Sequence, residues 1–333
     1  MSSGQAVSGT APGAPAAPGR LADGGTPPGS GPRRAARRLI ALLRERPSAA
    51  VGLGLLVFFV LIAVISPWIA PYSSTVASGS VYAPPSAHHW LGTDDGGIDV
   101  LSLVLIGGRI SLIVGAAATA VAMGVGGLVG VLSGYFGGWV DMLLMRITDY
   151  FLVVPDLVLM IVVATLWGPS LSHVILVIGL LLWTSTARIV RAEVKSVRER
   201  VYVRRARTIG ARSTSVIIRH ILPQIAPLLI ANTVLSVAIA IFDETSLDFL
   251  GLGDPNGVSW GVILEHANDR TAVSYGAWWT VVPPGICIAA VIVGCYLLGQ
   301  ALEDALNPRL RISHFAFRSW QFRPLVGRGK DVS

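Results

Sequence analysis

The sequence predicts an all-α integral membrane protein with six transmembrane helices. Three observations carry this prediction. Only 14% of the 333 residues are charged and 53% are hydrophobic, whereas soluble domains average about 25% charged residues. The apolar residues gather into six long runs, and about 20 such residues suffice for a helix to cross a bilayer. All but three of the 26 Lys and Arg residues lie before the first run, between the fourth and fifth, or after the sixth. By the positive-inside rule this places both termini and the 188–222 loop in the cytoplasm. A net charge of +7 could suggest nucleic acid in a soluble chain. Here the charge alternates with membrane spans, which points away from it.

Residues 1–48 are read as a disordered, basic cytoplasmic tail. They are rich in Gly, Ala, Pro and Ser and carry the basic block Arg33–Arg38. Such a composition buries too little apolar surface to offset chain entropy. The first span is the uncharged run Ala49–Ala70, and residues 49–106 hold this span and an outer loop. The remaining spans are expected near 110–132, 142–167, 172–190, 224–242 and 280–300. The 110–132 span is rich in glycine, which lets helix backbones approach closely in lipid. The 142–167 segment carries Arg146, Asp149, Pro155 and Asp156. Arg146 and Asp149 are three apart and can pair on one helix face. In a continuous helix Asp156 would lie about 15 Å beyond Arg146, and a bend at Pro155 is the alternative. Cys287 and Cys295 are eight apart in the last span, about 12 Å along a helix and too far for a disulfide. They are read as packing residues. Residues 306–333 are read as a basic cytoplasmic tail.

The stretch from Arg188 to Pro223 contains ten Lys or Arg and two apolar helical patterns. The first is Val194, Val197 and Val201. The second pairs Ile217 with Ile221 and Ile218 with Leu222. Gly210 stands between them, where it can take a left-handed conformation and end the first helix. Pro223 ends the second pattern or starts the next span. The predicted geometry is helix, glycine corner, helix. Two readings fit it. It is either an interfacial element snorkelling its arginines toward anionic lipid or a handle that a partner grips to move the adjoining spans.

The spacing of Ala206, Gly210 and Ile221-Leu222-Pro223 resembles the "EAA" loop of ABC importer permeases. His89–Ser102 (HWLGTDDGGIDVLS), Gly107–Gly115 (GGRISLIVG) and Gly134–Asp149 (GYFGGWVDMLLMRITD) are similar to segments of the C-type permeases of peptide and nickel importers. So are Ser246–Gly253, Ser259–Leu264 and Leu302–Arg311. The resemblance implies a type I ABC importer (MetI-like) permease fold with its core at 107–305. It further implies a coupling helix that docks on an ATP-hydrolysing subunit. Arg204, Arg205, Ala206, Gly210, Ala211, Ile221, Leu222 and Pro223 occupy the coupling-loop positions. Arg204-Arg205-Ala206 departs from the usual Glu-Ala-Ala, and Gly97-Ile98-Asp99 from the usual Gly-Arg-Asp.

The implied partners are a homologous second permease subunit, two ABC ATPase subunits and an extracytoplasmic substrate-binding protein, with membrane lipid around the spans. ATP and Mg would be bound by the partner ATPases, because this chain has no Walker A pattern. No catalytic residue, cofactor or metal site is expected in it. Asp149, Asp156, Asn232, Asp243 and Glu244 are candidates for the translocation path. For Asn232 an interhelical hydrogen bond is the competing role. The expected cargo is di- or oligopeptides. A nickel or other small-solute ABC permease remains an alternative, as does a secondary transporter or channel.

Overall fold

The computed structural model describes residues 46–306, and the two tails predicted at 1–48 and 306–333 fall almost wholly outside the described residues. Helix α1 (Pro47–Ile69) is followed by α2 (Val100–Phe136), α3 (Gly138–Val153), α4 (Asp156–Trp167) and α5 (Leu171–Arg198). Two short helices, α6 (Val201–Thr208) and α7 (Ser213–Val216), lead through one π-helical turn (Ile217–Ile221) into α8 (Leu222–Phe249). Helices α9 (Trp260–Asp269) and α10 (Val282–Leu306) complete the order. Five helical stretches are long and apolar enough to cross a membrane, and the pair α3 and α4 makes a sixth only as one bent span.

Of the two paths open to the 142–167 segment, the structure takes the bend at Pro155. Helices α3 and α4 meet at 88°. Val154 is extended (φ −84°, ψ 132°), as befits a residue before proline, where the ring of Pro155 disfavours helix. Asp156 therefore starts a new helix rather than lying one long stride down an old one. The second span begins earlier than 110. Asp99 caps α2, its carboxylate accepting from the Ser102 amide at 2.9 Å and the Ser102 hydroxyl at 2.8 Å. The fifth span also continues past 242, since Asp243, Glu244 and Asp248 lie inside α8. Two of these acids are satisfied there: Ser111 Oγ donates to Glu244 at 3.0 Å and Ser259 Oγ donates to Asp248.

Helices α2 and α5 form the most extensive helix pair, and glycine makes it close. A Cβ on Gly126, Gly130 or Gly134 would sit 2.5–2.9 Å from Trp183, Ala187 and Val190, or Arg191 and Val194. These glycines repeat every fourth residue, so one stripe of α2 has no side chains to hold α5 away. Helix α8 packs on α2, α5 and α10, and α10 in turn packs on α1. Trp260 at the start of α9 is 2% exposed and donates from Nε1 to the Val104 carbonyl at 2.9 Å. It anchors the end of the bundle opposite α6 and α7. Cys295 is buried in this same cluster, as a packing residue should be.

Candidate functional site

The basic stretch folds as predicted into helix, glycine corner, helix, and backbone hydrogen bonds explain the corner. Gly210 has φ +82°, a left-handed conformation that costs other residues about 1–2 kcal/mol. Its N–H donates to the Arg207 carbonyl at 3.0 Å, and the Ala211 N–H donates to the Ala206 carbonyl at 3.1 Å. These are the two bonds of a Schellman motif, which satisfies carbonyls at a helix end. The motif is usually accompanied by an apolar contact between the residues that close it. Ala206 and Ala211 hold those positions, and both pack on one buried cluster. Small side chains at 206 and 211 therefore let the corner sit flat against the bundle.

That cluster joins the elbow to three spans. Val203 and Val216 from the short helices are fully buried, as are Val194 and Val197 of α5. Ile221 and Ile225 add the start of α8, and Val131 and Tyr135 the end of α2. Polar contacts follow the same pattern. The Arg207 guanidinium lies 5.9 Å from the Tyr135 ring centre, within cation–π reach. Tyr202 stacks on His220 at 6.4 Å, and Arg200 donates to Gln224 at 3.3 Å. Pro223 lies in the first turn of α8. It starts the span without interrupting the helical path. The expected apolar faces shift slightly: Val201 and Ile218 are exposed, whereas Val203 and Val216 are the buried positions. The turn after Arg198 rotates the second helix away from the register of α5.

The opposite face of the elbow is open. Ile209, beside the corner, is 84% exposed. Val201 and Ile218 are also exposed apolar side chains, set among exposed Arg204, Arg205, Arg212 and Arg219. Arg204 is already engaged. Its Nε donates to Glu199 at 3.2 Å, and its guanidinium holds the Glu199 carboxyl below the usual carboxylate range. Arg205 is exposed and, among the described residues, takes part in no ion pair. The arrangement is an elbow with a buried underside and an apolar, cationic outer face.

The candidates for the translocation path are not gathered in one place. Asp149 pairs with Arg188 of α5 at 2.6 Å, not with Arg146, because α3 lies against α5. Asp156 is exposed at the start of α4. Asp243 is 9% exposed on α8. Glu244, the next residue, turns instead into the α2–α8 contact toward Ser111. Asn232 is half-buried in the middle of α8.

Two residues of consequence were not singled out from the sequence. Asp141 of α3 accepts from Arg191 Nη2 at 2.8 Å and Lys195 Nζ at 2.6 Å, and from Ser133 of α2. It ties three helices together near the elbow. The signal is in the sequence: an acid in a mostly apolar helix needs cations, and Arg191 and Lys195 share a helix face four residues apart. Ile209 was the other. An isoleucine flanked by Arg205, Arg207 and Arg212, with no large apolar side chain three or four residues away, marks an exposed apolar residue.

Comparison with known proteins places this geometry in context. Residues 126–312 match the family described as binding-protein-dependent transport system inner membrane component. Residues 34–85 match the N-terminal TM domain of oligopeptide transport permease C. The chain is 36% identical to the dipeptide transport system permease protein DppC of Alkalihalophilus pseudofirmus, the alignment covering 83% of this chain and 90% of that protein. It is 35% identical to the oligopeptide transport system permease protein OppC of Mycobacterium tuberculosis (83% and 96% covered). It is also 35% identical to the probable D,D-dipeptide transport system permease protein DdpC of Escherichia coli (82% and 91%).

Proposed function

Because this chain belongs to the family of binding-protein-dependent transport system inner membrane components, we propose that it is a membrane-spanning permease subunit of an ATP-driven importer of di- or oligopeptides. The names of its relatives support the cargo class. The observation that carries the mechanism is the two-faced elbow. Its underside is buried with the ends of α2, α5 and α8, while Ile209 and the arginines stand outward.

In this reading an ATPase subunit grips the outer face of the elbow. Closure of two such subunits on ATP and Mg moves the elbow, and the helices keyed to it rock so that the path opens to the far side. Hydrolysis resets the cycle. ATP shifts this equilibrium only to the extent that it favours one state over the other. This chain holds and transmits, and the hydrolytic chemistry belongs to the partners. A second permease subunit completes the path, and a substrate-binding protein delivers peptide to the face carrying residues 70–99 and α9. The distribution of Lys and Arg supports a cytoplasmic elbow and cytoplasmic termini.

The test is uptake of a labelled dipeptide and a labelled pentapeptide into proteoliposomes. Vesicles holding the full set of subunits should accumulate peptide only with binding protein outside and ATP inside. Accumulation by this chain alone, driven by an ion gradient, would overturn the reading in favour of a secondary transporter.

A further inference from the structure

Arg109 is one of only three Lys or Arg residues outside the basic regions, and its surroundings are unusual for a cation. It is exposed on α2 and lines a groove of about 610 Å³ between α1 and α2. The groove walls are otherwise apolar and include Val60, Val64, Trp68, Leu112, Ile113 and Ala116. Among the described residues Arg109 forms no ion pair. A guanidinium presents five donors and no acceptor. An apolar groove offers it nothing to bond.

The depth of this site follows from the helices. Residues 110–136 of α2 carry no charge and rise about 40 Å, more than one hydrocarbon thickness, which sets Arg109 at the headgroup level on the end away from the elbow. Trp68 is 78% exposed and 21 residues after Pro47, where α1 begins. That is about 31 Å of helix, one hydrocarbon thickness. Trp and Arg side chains favour this headgroup level. A cation at the headgroup boundary above an apolar trough is complementary to one kind of molecule, a phosphate joined to a long hydrocarbon chain. Arg pairs with phosphate bidentately, and the volume lies within the range of small-molecule sites.

We propose that the α1–α2 groove binds an anionic phospholipid of the leaflet opposite the elbow, with its phosphate on Arg109 and one acyl chain along Val60, Val64, Leu112, Ile113 and Ala116. The lipid fills the space between the first span and the rest of the bundle and supplies the anion that the protein does not. This inference rests on the spans alone and is independent of the cargo and of the ATPase.

The experiment is native mass spectrometry of the full chain purified with the subunits that accompany it, titrated with dioleoyl phosphatidylglycerol. Wild-type protein should retain the lipid, and Arg109→Gln should weaken apparent affinity roughly tenfold, the scale of a charge-assisted hydrogen bond. Arg109→Lys should keep part of it. Dioleoylglycerol, which has the same chains without phosphate, should bind wild type and Arg109→Gln alike, and millimolar inorganic phosphate should not displace the phospholipid. Ala116→Phe, which fills the trough and leaves Arg109 in place, should also lower retention. Equal phosphatidylglycerol affinity in wild type and Arg109→Gln would overturn the proposal. So would loss of another subunit from the Arg109→Gln complex with lipid retention unchanged, because Arg109 would then face a carboxylate of that subunit.

Discussion

Gly210 and Arg205 show how single residues set the elbow. The space around Gly210 is open, with nothing within 4 Å of a Cβ built there, so its requirement is purely conformational. A β-branched residue is strongly disfavoured at φ +82°, whereas asparagine tolerates left-handed backbone. Gly210→Val should therefore cost about 1–2 kcal/mol at the corner and depress ATP-driven peptide uptake, while Gly210→Asn should retain most of it. Equal uptake by the two variants would remove the corner from the mechanism. Arg205 is a different case. It is exposed, so Arg205→Glu should change stability by less than about 0.5 kcal/mol. It should nonetheless reduce co-purification of the ATPase subunit, because it reverses a charge on the open face. Arg204→Glu would in addition set a carboxylate against Glu199, its present ion-pair partner. If both variants carry the ATPase at wild-type levels, the arginines serve only the surface.

Between elements, structure is legible in the sequence where periodicity, composition or a proline dominates and hidden where a distant partner decides. The five unpaired spans and the helix–glycine–helix elbow follow from apolar runs and from one glycine between two patterns. The 88° break between α3 and α4 follows from Pro155, and a bend there is one of the two paths the sequence leaves open. The extension of α8 through Asp243, Glu244 and Asp248 was hidden. Three acids in six residues look like a loop until Ser111 and Ser259, from distant segments, satisfy two of them. For the same reason the sequence offers Asp149 only Arg146, its neighbour along the helix, whereas Arg188 is its neighbour in space. Asp141 gives the clearest test at this scale. Replacing it with alanine leaves Arg191 and Lys195 side by side on α5 without their common acceptor. The lost charge-assisted hydrogen bonds, discounted for the part-exposed cations, amount to about 1–2 kcal/mol. The thermal midpoint of the purified complex should fall by about 2–4 °C per kcal/mol. An unchanged midpoint would show that glycine packing alone holds α2, α3 and α5.

Across the whole molecule, packing is continuous from the elbow to the opposite end. The buried cluster under α6 and α7 grips α2, α5 and α8. The glycine stripe of α2 fastens it to α5, and Trp260 with the Ser111–Glu244 and Ser259–Asp248 bonds closes the far end. Close-packed interiors transmit displacement because they hold few voids in which to absorb it. A force applied at Ile209 therefore reaches the far side through side chains already in contact. Membership of the permease family and the class of the spans were legible in the sequence because motifs and hydropathy are local. The side of the elbow that stays open was not, because it depends on which valines three separate helices bury.

The central claim is that a separate ATPase subunit holds the open face of this elbow. A photo-reactive amino acid at position 209, illuminated in the assembled complex within membranes, tests it most directly. The account predicts a covalent adduct between this chain and the ATPase subunit, absent when the photo-reactive residue is placed instead at Trp68 on the opposite end. Failure of position 209 to cross-link the ATPase in complexes that still import peptide would contradict it.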